Sequence, residues 1–184
     1  MATHSDKSSD QKQTVVIPSL HGSIGHPDRK RLGEASEAEF VARATSLDFH
    51  VAKPWGEDDP YDVIVGFGQD FWRVQVKCAS YHPRSAYRVK AGGARGTYTK
   101  DQIDFLAGYV VPENIWYIIP IAAFEGRGEL HLCPHGTGKA KYERYREAWC
   151  LFTTPATLRG RDDIPVRCRC PQLPVRCAVC PCRN

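Results

Sequence analysis

The stretch "DVIVGFGQDFWRVQVKC", residues 62–78, constrains the fold of this chain most strongly. Two runs rich in β-branched and aromatic residues flank the pair Gly68-Gln69, and glycine in the first position of a two-residue loop favours a type II′ β-turn. A hairpin closed at this turn places Asp62 directly opposite Gln75, on the same face of the sheet. Lys77 lies one step further along that face, because side chains alternate along a strand. The sequence therefore predicts a carboxylate, an amide and an ammonium group side by side.

These groups suit a site for a divalent cation. Directly paired strand residues have Cβ atoms about 5 Å apart, so the oxygens of Asp62 and Gln75 and the backbone carbonyl of Val76 can converge on one ion. Mg²⁺ prefers oxygen ligands, and Mn²⁺ is the alternative ion. Such an ion lowers the pKa of water, and Lys77 can orient that water or offset charge on a phosphate. The alternative is a solvated polar face with an Asp62–Lys77 salt bridge.

One carboxylate is little charge for a divalent cation, so a second acid is expected. The segment "GEASEAEFVARATSL", residues 33–47, predicts a helix in which Glu34, Glu37, Val41 and Ala44 lie along one side. A glutamate on the apolar side of a helix is unusual. Glu37 is therefore the candidate for the second acid.

The rest of the pattern predicts an α/β protein built around a mixed sheet. Strands are expected at 49–53, 86–91 and 129–133, and a central strand covered on both faces at 115–121. Two further helices are expected, over 97–111, where Thr99 and Gln102 have capping-box spacing, and over 139–152.

Charge is concentrated rather than spread along the chain. From Trp72 to Lys100 there are seven Lys and Arg residues and no Asp or Glu, with Tyr residues interleaved. Clustered cations with aromatic residues suit a phosphate backbone and exposed bases, although a solvated basic surface is an equal reading of this feature alone. The predicted DNA-binding residues are Arg73, Arg84, Arg88, Lys90, Arg95 and Lys100.

Length and composition indicate one domain with two extensions. The 184 residues, 42% of them hydrophobic, argue against wholesale disorder and predict a polar arm at 1–30, a domain at 31–155 and a basic Cys-rich tail at 156–184. The tail lacks apolar residues for a core and its cysteine spacing is irregular, which favours disorder over a Zn²⁺ site. No apolar run approaches the ~18 residues of a membrane span, and the start lacks the apolar stretch of a signal peptide. We therefore expect a cytoplasmic protein with no membrane contact.

The motifs also resemble a known family. Glu37 on a helix, then "YDVIV", then "RVQVK" is similar to the PD-(D/E)XK nuclease superfamily, closest to its branch with Gln in the last motif, which includes group I intron homing and Holliday-junction resolvase-like enzymes. The resemblance implies an αβββαβ restriction-endonuclease-like core, a mixed central sheet flanked by helices. It places the helix acid on Glu37, with Glu34 as the fallback, the metal ligands on Asp62 and Gln75, and the catalytic lysine on Lys77.

The expected function is Mg²⁺-dependent hydrolysis of phosphodiester bonds in DNA by an endonuclease. Two features depart from the family pattern: Tyr61 replaces the proline, and Gln75 replaces the acid. Because an amide binds a cation less strongly than a carboxylate, a DNA-binding module of the same fold without activity is the alternative. A homodimer or a larger assembly stays open.

Overall fold

A computed structural model describes residues 29–56, 58–79, 86–93, 96–136 and 140–153. Most of the predicted arm and the whole Cys-rich tail therefore lie outside the described residues. The first described element is helix α1 (Arg29–Ser46). The strands follow in the order β1 (His50–Ala52), β2 (Val63–Phe67), β3 (Asp70–Ala79), β4 (Tyr87–Lys90), β5 (Gly92–Gly93), β6 (Gly96–Thr97), β7 (Phe105–Val110), β8 (Ile115–Pro120) and β9 (Glu129–Leu132). Within these residues no helix is long and apolar enough to cross a membrane.

In the described part of the chain, the central sheet has five strands in the order β1-β2-β3-β7-β8. Strands β1, β2 and β3 form an antiparallel meander, β7 runs parallel to β3, and β8 returns antiparallel to β7. Strands β4 and β9 form a separate antiparallel pair, and so do β5 and β6. The mixed α/β architecture predicted from the sequence is confirmed.

The hairpin between β2 and β3 has the predicted register. Phe67 pairs with Asp70, and Val63 pairs with Val74. Gly68 has φ +62°, whereas Gln69 has no positive φ, a combination that fits a type II′ turn. The register therefore follows from turn chemistry that is visible in the sequence.

Each face of the central sheet carries its own hydrophobic core. On one face, Trp72, Val74 and Val76 of β3 pack in a cluster with Phe40 of α1. On the other, Leu130 and Leu132 of β9 pack with residues of β7 and β8. The side chains of β3 that do not enter the first cluster, among them Gln75 and Lys77, belong to the second face, as the alternation predicts.

Helix α1 begins four residues earlier than predicted, and its buried side is offset. Ser36, Phe40 and Ala44 are its buried residues. Glu37 is half-buried beside this stripe, while Glu34 is exposed. The predicted buried side of the helix was therefore correct at Ala44, but toward the N-terminus the buried residues lie about one position before the predicted ones.

The helix predicted over 97–111 was wrong. The capping-box residues form one turn, in which the Thr99 backbone N–H donates to Gln102 Oε1 at 3.1 Å and the Ile103 N–H donates to the Thr99 carbonyl at 3.1 Å. Strand β7 begins at Phe105. Leu106 and Val110 are fully buried on one face of it, because a spacing of four residues places side chains together in a strand as well as in a helix.

The closing helix predicted over 139–152 was also wrong. The described part of this segment contains two 3₁₀ turns, Glu143–Tyr145 and Trp149–Thr153. Between them Glu147 has φ +48°, which ends helical geometry. Its carboxylate accepts hydrogen bonds from the Trp116 N–H at 2.7 Å and from Trp149 Nε1 at 2.8 Å. The bond from Trp116 ties the segment to β8, and the bond from Trp149 holds the Glu147 side chain within the segment.

The apolar strand at 115–121 is covered on both faces as predicted, but it does not lie at the centre of the sheet. Strand β8 is the last strand, and Trp116 and Tyr117 are buried in opposite cores. An isolated bridge between Tyr117 and Arg146 covers its outer edge. Burial of both faces explains the continuous apolar run, and the bridge to Arg146 protects the edge of the strand.

Candidate active site

The structure brings Asp62 and Gln75 into direct contact. Gln75 Nε2 donates to Asp62 Oδ2 and also to the Val76 carbonyl at 3.3 Å. The Val76 N–H donates to the same Asp62 oxygen at 2.7 Å. Gln75 is only 5% exposed, so this amide is one of two buried polar residues in the described core. Asp62, Gln75 and the Val76 carbonyl therefore lie in contact, with the amide nitrogen of Gln75 rather than its oxygen directed at Asp62.

Asp62 lies in an environment that disfavours its charge. Burial raises the pKa of the Asp62 carboxyl to about 6, opposed by the hydrogen bond from the Val76 N–H. The Glu37 carboxylate raises this pKa further, and the ammonium groups of Lys77 and Lys53 lower it. Two acids and two lysines thus act on one another at this position.

Lys77 and Glu37 approach the hairpin from different elements. Lys77 is half-buried on β3, two residues beyond Gln75, and among the ion pairs of the described residues none joins it to Asp62. Glu37 on α1 accepts a hydrogen bond from Lys53 Nζ at 2.8 Å. The Asp62–Lys77 salt bridge of the alternative reading is therefore not formed, and the Lys77 charge acts on Asp62 over a longer distance.

Sequence reasoning missed two residues of this site. Lys53 follows β1 directly, and its partner Glu37 is 16 positions away, so no local pattern joins them. Tyr98 is 6% exposed, and burial, followed by the Asp62 charge, raises the pKa of its hydroxyl to about 12. The only sequence signal for Tyr98 was its place among the aromatic residues of the basic stretch.

The predicted DNA-binding residues differ in their surroundings. The Arg73 guanidinium donates to the carboxylate of Asp104 at 3.2 and 3.3 Å and to the backbone carbonyls of Asp101 and Lys100. Arg88, whose side chain is 58% exposed, lies 3.7 Å from a carboxylate oxygen of Glu129. Exposed positions are also held by Lys90 and Lys100, whereas Arg84 and Arg95 lie outside the described residues. Arg73 is therefore held by several hydrogen bonds within the fold, whereas Arg88 makes one longer ion pair at the surface.

The donors present fit a divalent cation of the Mg²⁺ type. Within the described part of the chain, no three His, Cys, Asp or Glu side chains cluster as a metal site. The set here is instead a carboxylate, an amide and a backbone carbonyl, all of them oxygen donors. The amide nitrogen of Gln75 now faces Asp62, and rotation about its last torsion would present Oε1 there. A cation would also stabilise the charge that burial disfavours on Asp62.

The five-stranded mixed sheet and helix α1 correspond to the core of the restriction-endonuclease-like fold class. The family model described as PD-(D/E)XK endonuclease matches residues 27–152, and the chain belongs to this family. The chain is also similar to a solved bacterial homing endonuclease, I-Ssp6803I, with 28% identity and a TM-score of 0.58 over 66% of this chain and 88% of that one. No curated protein sequence matches the chain. The resemblance to this superfamily, inferred from Glu37, Asp62, Gln75 and Lys77, is thereby confirmed.

Proposed function

We propose that this chain is a divalent-metal-dependent endonuclease that hydrolyses phosphodiester bonds in DNA. The observation that carries the proposal is the contact between Asp62 and Gln75, with Lys77 next on the same face of the hairpin. Family membership supports a nuclease, and the similar solved structure is that of a homing endonuclease.

Asp62, the Val76 carbonyl and the rotated Gln75 amide would hold the cation. Bound there, the ion would act as a Lewis acid on the phosphate and lower the pKa of water. Lys77 supplies a fixed positive charge beside Asp62, which offsets the negative charge that develops on the phosphate. Glu37 would add a second carboxylate at the site, and the exposed position of Glu34 makes it the weaker candidate for that role.

DNA is the proposed substrate because exposed cations lie in the stretch that follows the hairpin. Arg88 and Lys90 alternate with buried residues on β4, so both project to the same exposed side. Lys100 is exposed after the β5–β6 pair. Phosphate contacts by these residues would give an affinity that falls steeply with salt. Arg73 is a less suitable contact, because its donors already meet acceptors within the chain.

A DNA-binding protein without cleavage activity is the second candidate. One observation favours it: the Gln75 amide donates a hydrogen bond to Asp62, and this bond forms without a metal ion. Such a protein would bind DNA with the same salt dependence and leave it intact.

Plasmid nicking separates the two candidates. Supercoiled DNA is incubated with wild type, Asp62→Ala and Asp58→Ala, each in Mg²⁺, Mn²⁺ and EDTA. Asp58 is the matched control, because it is an exposed carboxylate in the loop before β2. We expect nicking by wild type and Asp58→Ala with either ion, and none by Asp62→Ala or in EDTA. Salt-dependent DNA binding by wild type without nicking would favour the second candidate.

A further inference from the structure

Lys53 lies at the edge of the candidate site, where α1, β1 and β2 meet. It directly follows β1, which pairs with β2, and β2 begins one residue after Asp62. Its Nζ lies 2.8 Å from Glu37 Oε2 on α1. The Glu37 side chain is 26% exposed and that of Lys53 is 56% exposed. The Lys53 ammonium thus fixes the Glu37 carboxylate, while the Lys53 side chain stays accessible to solvent.

Lys53 also acts on the acids around it. The hydrogen bond to Glu37 is the main cause of its raised pKa, and the charges of Asp62 and Glu34 raise it further. Conversely, Lys53 lowers the pKa of Asp62, on which burial has the largest effect. The ammonium therefore occupies a region of negative potential that would also attract a divalent cation.

We propose that Lys53 is a positioning residue that holds the Glu37 carboxylate until a divalent cation displaces it. This inference rests on the proposed function, since it requires that the site takes such a cation. A cation bound near Glu37 and Asp62 competes with the ammonium for the same negative charge. Once released, the ammonium is free to contact a DNA phosphate. Lys53 would thus couple occupation of the metal site to contact with the substrate.

A purely structural role makes a different prediction. If the ion pair only fastens α1 to β1, its removal loosens Glu37 and leaves cation affinity unchanged or lower. If Lys53 competes with the cation, its removal raises cation affinity. The sign of the change in affinity therefore distinguishes the two roles.

Calorimetric titration of the full chain with Ca²⁺, a cation that uses the same oxygen ligands, measures this sign. The variants are Lys53→Met, Lys53→Arg and Lys141→Met. Lys141 is an exposed lysine whose ammonium group lies over the ring of Tyr142. Lys141→Met therefore controls for the change in net charge, and Lys53→Arg restores the cation at the site.

We expect Lys53→Met to bind Ca²⁺ about 2- to 5-fold more tightly than wild type, the range that loss of a partly exposed ion pair allows. Lys53→Arg and Lys141→Met should bind like wild type. Should Lys53→Met fail to fold, Lys53→Gln takes its place with the same expected rise. Equal or weaker Ca²⁺ binding by Lys53→Met, or by Lys53→Gln in its place, would overturn the inference alone. Absence of Ca²⁺ binding by wild type would instead overturn the metal site of the proposed function.

Discussion

Replacement of Asp62 by asparagine should change how stability depends on pH. Burial raises the pKa of Asp62 from 3.8 to about 6. The folded protein therefore binds this proton more tightly than the unfolded chain does. The resulting stabilisation is complete below pH 3.8 and is lost as the pH rises through about 6. Asparagine does not titrate, so Asp62→Asn lacks this loss.

The size of the effect follows from the shift. About two pKa units correspond to about 3 kcal/mol in total, of which about 2 kcal/mol falls between about pH 4.5 and pH 8. Asparagine also changes the hydrogen bonds with Gln75 and Val76, but that cost is nearly independent of pH. It cancels when the difference between variant and wild type is compared at the two pH values.

The assay is urea denaturation in EDTA, followed by the fluorescence of the buried Trp72, Trp116 and Trp149. Relative to wild type, Asp62→Asn should gain about 2 kcal/mol in free energy of unfolding on going from about pH 4.5 to pH 8. Asp58→Asn, at an exposed position, should show no such gain. Parallel pH profiles for wild type and Asp62→Asn would refute the argument that Asp62 is charged at a cost in the folded protein.

Three further predictions test the surrounding structure. Gln75→Glu adds a buried carboxylate, so it should raise Ca²⁺ affinity by about tenfold in calorimetry and lower stability in EDTA at about pH 8. Gly92→Ala should cost about 1–3 kcal/mol in urea denaturation, because its Cβ would lie 2.6 Å from a backbone oxygen. Gly93→Ala is the matched control and should cost less, because the nearest atom to its Cβ would be 3.6 Å away. Arg73→Ala should cost about 1–2 kcal/mol of stability, because the hydrogen bonds of its guanidinium are lost. Arg88→Ala should cost less than about 0.5 kcal/mol of stability and should instead reduce the affinity for DNA. Equal losses of stability for the two glycine variants, or for the two arginine variants, would contradict the contact on which that prediction depends.

The hairpin could be predicted from the sequence because its determinants are local. A Gly in the first turn position and alternating side chains predict the register down to the Val63–Val74 pair, and Asp62 and Gln75 make contact just beyond that pair. The half-buried position of Glu37 was inferred from helical spacing, although the stripe itself runs through Phe40 and is offset from the prediction. Turn chemistry and side-chain periodicity were therefore enough to predict the central residues of the candidate site.

The errors arose where one spacing fits two structures or where contacts are distant. Leu106 and Val110 suit a helix and also one face of β7, and only pairing of β7 with β3 and β8 decides between them. The segment around Glu147 gives up helical geometry for hydrogen bonds to β8, which no local propensity reveals. Lys53 was missed for the same reason, since packing of α1 against the sheet brings it to Glu37.

The rate at which Lys77→Ala nicks DNA tests the central claim most directly. Lys77 is half-buried beside Asp62, so its removal takes away a positive charge at the site without opening the hydrophobic core. With protein in excess over plasmid and Mg²⁺ present, we expect nicking at least about 100-fold slower than wild type, at similar DNA affinity. A rate equal to that of wild type would contradict the assignment of this hairpin as the place where DNA is cut.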